Sequence, residues 1–230
     1  MNVALFDPAA RAGVSAAQRV EAELRRAIVA LELPPGTRLS EQEIAQKLGV
    51  SRQPVREALI GLARMRLIEV VPQRGTVVVR ISARKMMAAR FVREAIESAV
   101  ARRAAESFDR RTREHVEDLL LVQAQVAERG DHDGFRSYDE QFHGALAEGA
   151  GLPLAFEAVR DLKAHMDRVC QLTLGTPRSM LDLVDQHRAI VAAIDAGDAG
   201  AAEAAMRHHL TEILRALPRV EAENPDLFAE

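Results

Sequence analysis

The chain has 230 residues, of which 48% are hydrophobic and 28% are charged, a composition typical of a globular protein with one large or two modest domains. No run of 18 apolar residues occurs, so we expect no membrane-spanning helix. The single cysteine, Cys170, excludes an internal disulfide framework and favours a cytoplasmic location. Eight aromatic residues are too few for the base-stacking surfaces of single-strand binders.

The net charge is −3, but it is unevenly distributed. Residues 1–80 contain 12 basic and 8 acidic side chains, whereas residues 81–230 contain 19 basic and 26 acidic ones. A basic front end on an acidic body is typical of a DNA-binding domain fused to a second domain. Such an imbalance can also arise by chance, and it gains weight only because the motif described below lies in the basic part.

The first 80 residues begin with an expected disordered tail at 1–14. From Ser15 to about Leu31, apolar residues recur at helical spacing and predict a helix. Pro34, Pro35 and Gly36 then end it and turn the chain.

A helix-turn-helix is predicted within SEQEIAQKLGVSRQPVR, which begins at Ser40. Ser40 and Glu43 form a capping box for one helix, and Gly49 can adopt the left-handed conformation that ends it. A second helix, capped by Ser51, reaches about Arg66 and buries one apolar stripe. Three polar side chains project from its first turn, away from that stripe: Arg52, Gln53 and Arg56. This is the placement of side chains that contact bases in the major groove.

A short hairpin follows the helix-turn-helix. Its predicted strands are Ile68–Val71 and Thr76–Arg80, joined by a turn that contains Arg74 and Gly75. Three helices followed by a hairpin define a winged helix, predicted at residues 15–80. Arg74 at the tip can reach a phosphate or the minor groove, and Gly75 allows a close backbone approach.

Residues 82–217 show helical periodicity throughout, with turn residues between the segments. We therefore predict an all-α bundle of six to seven helices, preceded by a short linker and followed by a polar tail at 218–230. The predicted helices lie at about 82–107, 110–129, 132–149, 152–174, 177–196 and 199–217.

Four residues of the bundle form a candidate site. Asp139 and His143 are four residues apart on one helix, and His187 and His209 lie on the apolar faces of two others. In one interpretation, Asp139 accepts a hydrogen bond from a core histidine and the others have local partners. In the other, all four bind one divalent metal, a ligand set that suits Zn, Ni, Fe or Mn rather than Ca or Mg.

The first domain resembles the GntR family of bacterial transcription regulators. The resemblance is carried by the PPG turn, SE-x-E-[IL]-A, GVSR-x-PVREAL and the RG of the wing. It implies DNA contacts by Arg52 and Arg56 from the recognition helix and by Arg74 and Gly75 from the wing, with Ser51 and Gln53 beside them. Gln42 stands where some relatives have arginine, so we expect the DNA preference to differ at Gln42 and Gln53.

The second domain resembles the FCD-type effector domain of the FadR subfamily. The matching segments are D-x-x-FH-x-ALAEGAG-x-P-L, QH-x-x-I-x-x-AI-x-x-GD and AM-x-x-HL. Many members bind a metal through one aspartate and three histidines, and the matching positions are Asp139, His143, His187 and His209. The resemblance therefore favours the metal site, with Zn first and Ni, Fe or Mn as alternatives. Arg93, in FVREAIESAVARRAAE, could clamp an effector carboxylate or form an interhelical or surface salt bridge with a nearby glutamate.

Together these features predict a cytoplasmic, homodimeric transcription regulator rather than an enzyme. As most such family members are, it is expected to be a repressor of an inverted-repeat operator, responsive to a small organic acid or sugar acid. Two alternatives stay open: a metal-dependent enzyme acting on a small carboxylate, and a regulator whose metal is purely structural or absent. Against the enzyme, the sequence shows no general base beside the ligands and no nucleophile motif.

Overall fold

The computed structural model describes residues 14–174 and 176–229, so all but Val14 of the predicted disordered tail lies outside the described residues. The mostly helical class is confirmed, with nine α-helices and three short strands in the described ranges. None of these helices combines the length and apolarity needed to span a bilayer. The order is α1 (Ala16–Val29), β1 (Arg38–Leu39), α2 (Glu41–Leu48), α3 (Arg52–Arg64), β2 (Ile68–Val71), β3 (Gly75–Val78), α4 (Ala83–Glu106), α5 (Arg110–Glu128), α6 (His132–Gly149), α7 (Pro153–Thr173), α8 (Pro177–Asp195) and α9 (Ala199–Glu223).

The chain divides into two compact units. The first contains the described residues up to Ile81 together with those from Asp226, and the second runs from Ser82 to Pro225. The first unit is a winged helix, and the second is a bundle of the six helices α4–α9.

In the first unit, α1 packs against α3 and the buried side chains of both helices form the core. The Ser40 hydroxyl accepts a 3.4 Å hydrogen bond from the backbone N–H of Glu43, so the first half of the predicted capping box is present. Gly49 ends α2 at a φ of 64°, in the left-handed region where a side chain would be strained. Ser51 occupies the N-cap position of α3, but its side chain makes no capping hydrogen bond.

The wing has three strands rather than the two predicted. β3 lies in the centre, antiparallel to β2 on one side and to the two-residue β1 on the other. β1 is too short to show an alternating pattern, so the sequence did not reveal it.

The C-terminal residues differ from the predicted polar tail. α9 continues through Pro218 to Glu223, and the burial of Val220 favours this continuation. A 3₁₀ turn at Pro225–Leu227 follows. Phe228 is then buried and forms a parallel β-bridge with Ile81 inside the first unit.

Several helices of the bundle have side-chain N-caps. The side chains of Ser82, Asp109, Asp131 and Asp198 accept hydrogen bonds from the first turns of α4, α5, α6 and α9. The apolar core is built around Phe142, Leu146, Ile190 and Met206. Because α6, α8 and α9 all face this core, their polar core positions face one another.

Candidate functional site

The candidate DNA-contacting residues of α3 are exposed. The side chains of Arg52 and Arg56 are 63% and 56% accessible, and Gln53 is also exposed. In the protein without DNA, both arginines bind the carboxylate of Glu41, the first residue of α2. Arg52 donates through Nη2 at 3.0 Å, and Arg56 donates through Nε and Nη2 at 3.1 and 3.2 Å.

A glutamate also accepts a hydrogen bond from the third polar side chain of this surface, Gln53. The amide of Gln53 donates a 2.8 Å hydrogen bond to Glu57. Hydrogen bonds from Arg56 and then from Arg52 lower the pKa of the Glu41 carboxyl. Glu41 is therefore ionised at neutral pH. The sequence had not indicated that Glu41 contacts the arginines.

The remaining predicted DNA contacts lie on other parts of the same unit. Ser51 and Gln42 are exposed, and Arg74 is exposed at the turn of the wing. Gly75 begins β3 with a φ of 79°, where a side chain would be strained. These positions stay predicted contacts.

The four candidate metal ligands converge inside the bundle. One ligand atom from each lies within 4.8 Å of all the others, and all four residues are buried. The imidazole centroids of His143 and His209 lie 5.3 Å apart, and those of His187 and His209 lie 4.6 Å apart. Phe142 stacks on His187 with a centroid distance of 4.1 Å, which fixes the plane of that ring.

Each histidine directs its Nδ1 toward an oxygen outside the cluster. Nδ1 lies 2.6 Å from Glu97 in His143, 2.9 Å from Gln123 in His187 and 3.0 Å from Gln186 in His209. The contacts of His187 and His209 are hydrogen bonds, whereas Nδ1 of His143 is only close to the Glu97 carboxylate and makes no hydrogen bond among the described residues. Contacts at Nδ1 leave Nε2 as the ligating nitrogen, an arrangement common around metal-binding histidines.

The buried Nε2 atoms of His143 and His187 have no hydrogen-bond partner among the described residues. The Nε2 of His187 lies 3.4 Å from Oδ1 of Asp139. Buried polar atoms without a partner are costly, and a metal ion bound by these atoms would remove that cost. The side chains present therefore fit a metal with one carboxylate and three imidazole ligands.

The protonation states of the cluster also suit metal binding. Burial lowers the pKa of His187 to about 3. Burial, together with the nearby His187 and His143, also lowers the pKa of His209. Burial opposes ionisation of Asp139, but the positive charge of Lys163 is the main opposing influence, and the pKa of this carboxyl is lowered. Neutral imidazole and ionised carboxylate are the forms that bind metals.

Two cationic side chains lie beside the cluster. The Nζ of Lys163 is 2.9 Å from Oδ2 of Asp139 and 2.6 Å from Asp167. Arg93 is buried and binds Glu97 on its own helix through Nε and Nη2, at 2.6 and 3.2 Å. A salt bridge with a nearby glutamate is therefore present, but it lies within one helix and is buried, whereas the predicted alternative is an interhelical or surface pair.

A cavity of about 230 Å³ opens beside the ligands. Its lining includes Arg93, Lys163 and three of the four candidate metal ligands, Asp139, His143 and His209. Nη1 of Arg93 contacts the sulfur of Met166 at 3.5 Å, a weak acceptor that a carboxylate could replace.

Sequence reasoning missed the residues that surround the ligands: Glu97, Gln123, Lys163, Asp167 and Gln186. A signal existed for Lys163, because it lies four residues after the buried Val159 and thus on the buried stripe of α7. The same signal existed for Gln123, which lies four residues after the buried Leu119 on the buried stripe of α5. Gln186 is only partly buried and had no comparable signal.

The first unit is a winged helix with exposed arginines on α3, and the second is a helical unit with a buried cluster of candidate metal ligands. This combination defines the class of ligand-responsive DNA-binding proteins. Residues 16–78 match the family described as bacterial regulatory proteins, gntR family, and residues 89–212 match the FCD domain. The chain therefore belongs to the GntR family and carries an FCD domain. It is a transcription regulator, and the family is not one of enzymes.

Named relatives agree with this assignment. The chain is 40% identical over 213 residues to the HTH-type transcriptional repressor RspR of Escherichia coli K12, covering 93% of each chain. It is 34% identical over 188 residues to a probable D-xylose utilization operon transcriptional repressor of Paenarthrobacter nicotinovorans, covering 80% of each.

Solved structures show the same fold. A putative GntR regulator from Rhodococcus sp. RHA1 has a TM-score of 0.71 at 27% identity and covers 91% of this chain and 99% of its own. E. coli McbR/YncC has a TM-score of 0.78 at 23% identity and covers 90% and 98%.

Proposed function

We propose that this protein is a cytoplasmic repressor that binds an inverted-repeat operator as a homodimer and is released by a small organic acid or sugar acid. The observation that carries the proposal is the buried Asp139–His143–His187–His209 cluster beside a cavity with two cationic side chains. Repressor-named relatives support the sign of regulation.

DNA binding is assigned to the winged helix. Arg52, Gln53 and Arg56 would contact bases from α3, with Ser51 and Gln42 beside them, and Arg74 and Gly75 would approach the backbone or minor groove. A two-fold dimer presents two such helices to two half-sites, which explains the expected inverted repeat.

The effector site is assigned to the cavity. Asp139, His143, His187 and His209 would hold a divalent metal, of which Zn suits the ligands best and Ni, Fe or Mn are alternatives. A metal held by these residues would act as a Lewis acid toward an effector carboxylate. Arg93 would orient that carboxylate, and Glu97 holds the guanidinium in place.

Regulation then requires that the effector bind one arrangement of the dimer better than another. A coupling of about 1–3 kcal/mol changes operator affinity several-fold to about a hundred-fold. The second candidate, a regulator whose metal is purely structural, keeps the DNA-binding assignment but predicts no effector at this cavity.

A thermal-shift screen of organic and sugar acids against the zinc-loaded protein tests the proposal. An effector should raise the unfolding midpoint of the wild-type protein, because it binds only the native state. The same effector should weaken binding to operator DNA, because it favours the other arrangement of the dimer. Arg93→Met should lose the shift. A screen in which no acid shifts the wild-type protein, although the metal is bound, would favour the structural metal.

A further inference from the structure

Glu41 joins the two recognition-helix arginines across the turn of the helix-turn-helix. It is the first residue of α2, and its carboxylate accepts all three hydrogen bonds from Arg52 and Arg56. The three side chains lie within one compact unit, and none of them is buried. The arrangement therefore belongs to the DNA-contacting surface itself and not to the core.

The two arginines are held in different ways. Arg56 presents its side edge, Nε and Nη2, to both oxygens of Glu41, which fixes the plane of the guanidinium. This contact leaves the end of the guanidinium, where Nη1 lies, for a base. Arg52 contributes only Nη2, so this single hydrogen bond can be exchanged for a phosphate or base without disturbing Arg56.

One carboxylate against two guanidinium groups also reduces the local positive charge. Affinity for DNA of any sequence comes mainly from cations that neutralise phosphates, whereas sequence preference comes from oriented contacts to base edges. Exposed ion pairs are individually weak, so Glu41 does not block the arginines from DNA. Its effect is to orient one arginine and to weaken attraction to phosphates.

We infer that Glu41 is a specificity-determining residue of DNA binding, which positions Arg56 for a base and suppresses sequence-independent binding. The inference rests on the proposed DNA contacts of Arg52 and Arg56. It makes Glu41 a positioning residue, since it acts through the arginines rather than by touching a base.

The test compares Glu41→Gln with Glu43→Gln. Glu43 is also an acidic residue in the first turn of α2, so its variant matches the loss of charge and of helix-dipole interaction, but it has no arginine partner among the described side chains. Binding is measured by fluorescence anisotropy to poly(dI-dC) and to a duplex that wild-type protein selects from random sequences. The salt concentration is varied between about 50 and 200 mM.

Glu41→Gln should bind poly(dI-dC) about five- to ten-fold more tightly at 0.1 M salt, with a salt slope steeper by about one unit, the value for one additional phosphate contact. Its preference for the selected duplex should fall by a similar factor. A merely structural role of Glu41 would not steepen the salt slope. The inference is overturned if Glu41→Gln and Glu43→Gln give the same slope and the same preference.

Two further variants separate this inference from the proposed function. If Arg52→Ala and Arg56→Ala both retain the affinity of wild type for the selected duplex, the DNA contacts themselves are wrongly assigned. If the arginine variants lose affinity while Glu41→Gln equals Glu43→Gln, only the role of Glu41 is refuted. Thermal midpoints of all variants show whether each is folded.

Discussion

Lys163 and Asp139 form a buried ion pair at the edge of the histidine cluster, with 2.9 Å between Nζ and Oδ2. Burial opposes the charge of Lys163, but Asp139 and Asp167 outweigh it and raise the pKa of the ammonium group. The pair therefore persists at neutral pH. It gives the candidate ligand Asp139 a positive partner on the side away from His187.

Lys163→Met should destabilise the metal-free protein by about 3–5 kcal/mol, because it leaves two buried carboxylates without their cation. In the zinc-loaded protein the cost should be smaller, since the metal would neutralise Asp139. Urea unfolding with zinc and with EDTA measures both values. Lys85→Met, which removes an exposed lysine, is the control. Equal costs under the two conditions would contradict a metal at Asp139.

The histidines provide a direct test of metal binding. Protein purified without chelators should contain about one divalent metal per chain, and His143→Ala or His187→Ala should lose it, because three remaining ligands bind a metal far more weakly. His208→Ala removes an exposed histidine next to His209 and should keep the metal. Elemental analysis of wild type and the three variants measures the metal content of each. A metal-free wild type would refute the site.

Helical periodicity predicted much of this cluster but not all of it. Asp139 and His143 could be placed on one buried face because residues four apart on a helix share a face. Lys163 could not be paired with Asp139, because periodicity shows which face is buried and not which helix will cover it. The same limit applies to Glu41, whose partners lie 11 and 15 residues away on another helix.

The buried pair of Arg93 and Glu97 should contribute a pH-dependent stability. Burial opposes the charge of Glu97, but Arg93 and His143 outweigh it and lower the pKa of the carboxyl below its ordinary value of 4.5. A carboxyl with a lowered folded-state pKa stabilises the protein above the unfolded-state pKa, and this contribution is lost as the pH falls through the folded-state value.

Glu97→Gln should therefore cost about 3 kcal/mol at pH 7, and less as the pH falls below about 4.5. Chemical denaturation of metal-free protein at several pH values measures the difference from wild type. The control is Glu106→Gln, whose side chain is 47% exposed and whose arginine pairs should be worth less than about 1 kcal/mol. A cost that stays constant down to pH 3 would show that Glu97 is not stabilised as a carboxylate.

The recognition-helix arginines should account for operator affinity. Arg52→Ala or Arg56→Ala should each weaken binding to a selected operator duplex by about 1–3 kcal/mol, several-fold to more than a hundred-fold, because one base or phosphate contact is lost. Arg64→Ala is the matched control, since Arg64 is exposed in the last turn of the same helix. Gel-shift titrations, with the oligomeric state checked by sedimentation, separate lost contacts from lost assembly. If Arg64→Ala weakened binding as much as Arg52→Ala, the N-terminal end of α3 would not be the part that contacts the operator.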